Sequence, residues 1–169
     1  QVSSSSDPRL DAGFVNIAVN TNYDLTDRLT GDMGGAVVLP YLISELIVGD
    51  LSDETARSRT RINATGATIV GNGDVTLAVR NDALLNSEAY IRTYGFAGRG
   101  KVKSHTTFRN NADIVLSNGA SVTSRSGNVN LLVGADLNGE QQIQQHAEGR
   151  VFNRTIVPLN SNPDVVGTL

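Results

Sequence analysis

Cysteine and tryptophan are absent from the 169 residues, aromatic side chains make up 5% of them, and the net charge is −3. Without cysteine there is neither a disulfide framework nor thiol chemistry, a composition that suits large exported bacterial proteins as well as cytosolic ones. With so few aromatics, a compact globular core lacks its largest fillers. A narrow column of Val, Ile, Leu and Ala needs fewer of them, which favours a solenoid over a sandwich. The missing basic excess argues against a nucleic-acid partner, whose phosphates require a concentrated positive footprint. Two small basic clusters, Arg57, Arg59 and Arg61, then Lys101 with Lys103, alternate along expected strands and read as solvated faces. Long apolar runs are missing too. The best candidate, Ala36 to Val48, is interrupted by Pro40, Ser44 and Glu45 and falls short of the ~18 apolar residues of a spanning helix, so no transmembrane segment is expected.

What the chain does have is a phrase repeated three times. Gly-x-Val-x-[Leu/Ile]-x-Val occurs as Gly13 to Val19, Gly73 to Val79 and Gly127 to Val133. Apolar residues at every second position fall on one face of a strand. The copies are spaced 73 − 13 = 60 and 127 − 73 = 54 residues apart, so the unit is long and slightly elastic. Self-similarity at a long period signals a stacked repeat architecture. The phrase is preceded by Ile62 to Ile69 in the second copy and by Val115 to Val122 in the third, each with a Gly-Ala-[Thr/Ser]-[Ile/Val] segment. This pattern predicts a strand, a corner, a short strand, a second corner and then the longest strand, with Gly and Asn supplying the left-handed conformations that corners need.

Coils of about 20 residues would give three per unit and roughly eight in all, and coils of 27–30 would give two per unit. The spacings fit both. Val15, Ile17, Val19, Val75, Leu77, Val79, Val129, Leu131 and Val133 are all expected inside the column. Ala36 to Ile47 carries the sole helix-like pattern, but Pro40 lies within it. It is expected as strand, turn and irregular excursion, matching the region of Tyr90 to Ala97 in the next unit. Residues 1–169 are expected as one domain. The polar opening, Gln1 to Pro8, is a serine run rather than a signal peptide, and the chain reads as an internal piece of something longer.

No catalytic constellation accompanies the repeat. His105 and His146 lack the i+2 or i+4 histidine or cysteine partner of a metal site. Gly71-Asn72-Gly73-Asp74 has calcium-loop chemistry but reads as a corner before a strand, and Asp50, Asp53 and Glu54 read as an acidic loop. Arg125-Ser126-Gly127 lacks the first glycine of a nucleophile elbow. A β-helix polysaccharide lyase would need clustered carboxylates and a basic proton acceptor; Asp74, Asp82 and Arg80 are the nearest match. No aromatic platform for a sugar is evident. Catalytic, cofactor and metal residues are therefore all expected to be none.

The run Gly127 to Asp136, followed by Asn153-Arg154-Thr155-Ile156-Val157-Pro158-Leu159 and Asn162-Pro163-Asp164, resembles the repeats of giant exported filamentous adhesins, the haemagglutinin-like or leukotoxin-like exoproteins of cyanobacteria and other Gram-negative bacteria. Tyr90 to Gly100, with its Tyr-Gly and Gly-Arg-Gly turns, resembles their inter-strand spacers. The likeness runs from about Ala64 to the C-terminus. It implies a right-handed parallel β-helix, an extracellular or outer-surface location, and a scaffold or adhesive role, with no catalytic residue to carry over. The secretion-signal domain of the family is not in this sequence. The expected function is a structural component of a fibre, sheath or adhesin stalk. A glycan- or protein-binding module is the alternative, ahead of the lyase. Partners are expected to be further coils of the same chain or other copies end to end, with a cell-surface glycan or protein as candidate ligand.

Overall fold

The computed structural model describes residues 9–49, 58–161 and 163–168. All of the regular structure among them is strand: β1 (Arg9–Ala12), β2 (Val15–Val38), β3 (Tyr41–Val48), β4 (Ser58–Thr65), β5 (Thr68–Gly71), β6 (Val75–Gly98), β7 (Lys101–Phe108), β8 (Asn110–Ser117), β9 (Ser121–Ser124), β10 (Val129–Val133), β11 (Ile143–Pro158) and β12 (Pro163–Thr168). The chain visits four sheets in a fixed order. One holds β1, β5 and β9, the next β2, β6, β10 and β11, the third β3, β7 and β12, and the fourth β4 and β8. Every pair whose register is defined is parallel.

These registers decide what the repeat is. Arg9 lies beside Thr68, Tyr41 beside Lys101, Ser58 beside Asn110 and Val75 beside Val129. Each strand thus meets its counterpart one whole unit later, and one unit makes a single circuit of the sheets. The expectation of two or three coils per unit is corrected: there are three circuits, and the third ends at β12 among the described residues. Short-coil arithmetic failed because one strand, β6, runs for 24 residues without a corner.

The elasticity of the unit has a local cause. The step is 60 in β3/β7 but 52 in β4/β8, so eight extra residues fall between Val48 and Ser58. It becomes 53 in β5/β9, because Asn118 adds a residue to the corner that Gly66 makes in the previous circuit. Gly66, Asn118 and Gly119 all adopt left-handed backbone (φ 63°, 52° and 79°), as expected for these corners. Ala36 to Ile47 follows the 60-residue step and matches Phe96 to Thr107, not Tyr90 to Ala97. Pro40 falls in the two-residue break between β2 and β3, where no ladder donor is lost.

The described strands form two compact units, each drawing on all three circuits. Residues 9–23, 58–82 and 110–143 make the first, and residues 24–48, 83–109 and 144–168 the second. In the first, Val15, Ile62, Ile69, Val75, Leu77 and Val79 form the core, with Ile17, Val19, Ala112, Ile114 and Val122 packed on it. In the second, Ala89, Ile91 and Val102 are buried against Leu42 and Val151. The nine expected core residues divide by circuit. Val15, Val75, Leu77 and Val79 are buried and Ile17 and Val19 half-buried, whereas Val129, Leu131 and Val133 are 42%, 50% and 54% exposed. Leu131 still lies beside Leu77, but the expectation that all nine would be buried fails in the third circuit. Within β10 it is the alternate residues Asn130 and Leu132 that are half-buried, so its apolar row is the more exposed face of the strand.

Candidate functional site

In the second and third copies the glycine of the repeated phrase owes its place to close approach at a corner, whereas a Cβ on Gly13 would meet nothing within 4 Å. A Cβ on Gly73 would lie 2.5 Å from the Phe14 ring, and one on Gly127 would lie 2.3 Å from Asp74 Oδ1. The Gly73 amide donates to the Gly13 carbonyl at 2.6 Å, and Asp74 Oδ1 accepts the Asn128 amide at 2.7 Å. Asn72 accepts from Arg125 Nη1 at 2.8 Å through its side chain and from the Ser126 hydroxyl through its carbonyl. The calcium-like quartet is thus a corner that ties one circuit to the next, with Asp74 Oδ1 engaged by backbone.

Arg80 and Asp82 do come together, at 2.5 Å, but the third member is Asp136 (2.7 Å from Arg80 Nη1), not Asp74. Asp136 also accepts the amides of Asn138 and Glu140 at 2.8 and 2.9 Å, closing the excursion between β10 and β11. The hydrogen bond to Asp82, followed by the charges of Asp82 and Asp136, raises the Arg80 pKa above its ordinary value. A guanidinium held this way is a clamp on a turn and a poor proton acceptor. Asp136 is held below the usual carboxylate range, first by the Glu140 amide and then by Asn138 and Arg80.

Described members of the basic clusters make contacts between circuits. Arg59 and Arg61 both reach Asp113 (3.3 and 3.0 Å), and Lys103 reaches Glu45 at 2.5 Å. Lys101 lies over the Tyr41 ring. The bond from Lys103 lowers the Glu45 pKa. Arg92 grips Asp32 through two nitrogens, at 2.5 and 2.8 Å. Arg57, Asp50, Asp53 and Glu54 lie outside the described residues.

His105 Nε2 lies 3.1 Å from the Thr107 hydroxyl. His146 is placed where sequence spacing gave no hint: Glu88, His146 and Glu148 bring one ligand atom each within 4.8 Å of one another. The signal was the circuit itself, because Glu88 and Glu148 are 60 residues apart. Arg28 pairs with Glu88 at 3.3 Å, and Arg150 bonds Glu148 and lowers its pKa, so both carboxylates are already matched by cations. Arg28, Glu88, Glu148 and Arg150, with Leu29, Ala89 and Tyr90, line a groove of about 440 Å³.

Inside the second unit runs a row of hydroxyls. Ser44, Ser87 and Ser104 are fully buried, with Oγ–Oγ distances of 2.7 Å (Ser44–Ser87) and 2.8 Å (Ser87–Ser104). Ser87 and Ser104 also donate to the carbonyls of Ser44 and Ser87, and Ser44 donates to Asp27 Oδ2 at 2.6 Å. Every hydroxyl is satisfied within the row, which makes it a packing device.

Comparison with family models, with curated proteins and with solved structures returns no match.

The remaining chemistry lies on the outer circuits. β2, β3, β11 and β12 carry large apolar side chains in the open, among them Met33, Val37, Ile43, Ile47, Phe152, Ile156 and Val165, each at least 42% exposed. The middle circuit, from β5 through β7, exposes Leu84, Tyr94 and Phe96. No helix of the described residues is long and apolar enough to cross a membrane.

Proposed function

We propose that the chain is a stretch of right-handed parallel β-helix acting as a structural component of an extracellular fibre, sheath or adhesin stalk on a bacterial surface. The carrying observation is the contrast between circuits. Several positions sealed in β6 have open apolar counterparts in the outer circuits, Leu25 and Leu29 (each 38% exposed) against Leu85 and Ala89, and Val129, Leu131 and Val133 against Val75, Leu77 and Val79, as in a column whose segments bury one another. The resemblance of Gly127 to Asp136 and its neighbours to exported filamentous adhesins supports the surface location. The captive state of Arg80 weighs against a lyase.

Amide hydrogen exchange on the full chain tests this reading. β5, β6 and β7 should exchange most slowly, with β2, β3, β11 and β12 opening first. Exchange in β6 as fast as in β2 and β11 would overturn the stacked column. On a glycan array the protein should be silent; one saturable hit would replace the stalk with a binding module.

A further inference from the structure

The two outer edges of the second unit fit each other. Resting on the stacked-column reading, we propose that a second copy of this chain docks by its β2–β3 edge onto the β11–β12 edge of the first. Its strands run parallel, at the register that continues the 60-residue step of β2, β6 and β11; the step from β7 to β12 is 61. Among the described residues, β2 and β11 each pair only with β6, and β3 and β12 only with β7, so one edge of each has no strand beside it. All four strands run in the same sense, so the contact is head to tail and repeats without closing.

Charge favours the β2–β11 part of this pairing. Asp24–Val38 carries three acids and one base (Asp24, Asp27, Asp32; Arg28), a net of −2, whereas Ile143–Pro158 carries one acid and two bases (Glu148; Arg150, Arg154), a net of +1; β3 and β12 each add one acid, Glu45 and Asp164. The step is fixed within the chain by Arg28 on Glu88, Arg92 on Asp32 and Thr93 on Asn153, each pair 60 apart. Continued once more, it sets Arg28 of the second copy beside Glu148 of the first, repeating the ion pair that Arg28 makes with Glu88.

Side-chain volume agrees. Within one chain Leu29 is followed at the next circuit by Ala89, and Gly31 by Ile91, whose side chain lies 3.8 Å from where a Gly31 Cβ would be. At the third circuit these positions are Gly149 and Val151. The second copy therefore sets Leu29, 38% exposed in the single chain, over Gly149, and Gly31 over Val151. Large meets small at both, which is how close-packed layers interdigitate.

Thiols placed at one register position read the contact directly, because the chain has no cysteine of its own. Thr26 and His146 occupy the same position two circuits apart. Within one molecule that is roughly 9.5 Å at the usual strand spacing, too far for a disulfide, but across the proposed junction the two are adjacent. Under mild oxidation T26C/H146C should give a ladder of linked multimers, and the off-register T26C/F152C should stay unlinked. Equal ladders from both, or none from either, would overturn the proposal. In sedimentation, R28E and E148R should each weaken self-association at least tenfold, and mixing the two variants should restore it, which a folding defect would not allow. Failure of the mixture to recover overturns the charge register. If these tests fail while β5 to β7 still exchange slowest, the second copy is excluded and the stacked column stands. If the exchange gradient is also missing, both fall.

Discussion

Leu77 and Leu131 sit at the same position of the repeated phrase, in adjacent parallel strands and in register, yet one is fully buried and the other 50% exposed. β6 differs from β10 in this way along the whole phrase, whereas Val15 in the first circuit is buried like Val75. The inward row of β6, Val75, Leu77 and Val79 in the first unit and Ala83, Leu85, Ser87, Ala89, Ile91 and Thr93 in the second, is sealed, and even outward-facing Thr76 and Ala78 are covered. Identity at a repeat position therefore fixes the pairing register but not the environment. A neighbouring circuit on each side adds to burial, as in the one-dimensional coupling of stacked repeats, but Val15 and Ser44 are buried with a neighbour on one side.

Substitutions at matched positions probe that coupling. Leu77→Ala empties a site enclosed by Val15, Ile62 and Ile69 and should cost about 3–4 kcal/mol, while Leu131→Ala, half in solvent already, should cost about 1 kcal/mol. Urea unfolding of the two variants measures the gap, and equal losses would break the comparison. A smaller effect is expected in the second unit. Ser87→Ala removes the central hydroxyl that links Ser44 to Ser104 and should destabilise by about 1–2 kcal/mol, more than removal of the exposed hydroxyl of Ser121 in the third circuit. Matching losses would mean that the buried row is energetically idle.

The smallest effect concerns pH. Asp136 is depressed below its ordinary value of 3.8 by the Glu140 and Asn138 amides and by Arg80. A depressed carboxylate contributes stability that is fully present above its unfolded pKa and lost as pH falls through the lower folded one. Asp136→Asn should therefore be less stable than the parent at neutral pH, with the difference fading below about pH 4. A difference that persists unchanged to pH 2 would assign the loss to the amide geometry of the turn instead of its charge.

Strand placement was legible in the sequence and circuit length was not. The period-2 phrase located β2, β6 and β10 and gave the buried row at the start of β2 and β6 but not in β10, and the Gly-Ala segments marked the corners at Gly66 and Gly119. Circuit length escaped because corners announce themselves through glycine and asparagine, whereas the long uninterrupted stretch from Val75 to Gly98 contains Asn81, Asn86 and Gly95 inside a strand. A Cβ at Gly95 would lie 1.9 Å from the Gly35 carbonyl oxygen, so that glycine records close approach of two strands and not a turn. The cross-circuit groupings Glu88–His146–Glu148 and Arg80–Asp82–Asp136 escaped for a related reason. In each, one member is 54 to 60 residues from the other two, and such pairs emerge only once the circuit length is known.

The turn between Val133 and Ile143 has a practical consequence. The step changes from 54 at Val133 to 60 at Asn153, so six more residues leave the sheet there than the preceding circuit needs, while pairing resumes in phase on the far side. The loop is stapled at its base by Asp136, with Gly139 in left-handed backbone (φ 82°) and Leu137, Asn138 and Glu140 facing solvent. Loop closure costs little more as a loop lengthens, roughly 0.6 kcal/mol for each doubling. A foreign peptide spliced between Leu137 and Gly139 would accordingly ride outside the sheets, as cargo carried at one fixed point on every copy.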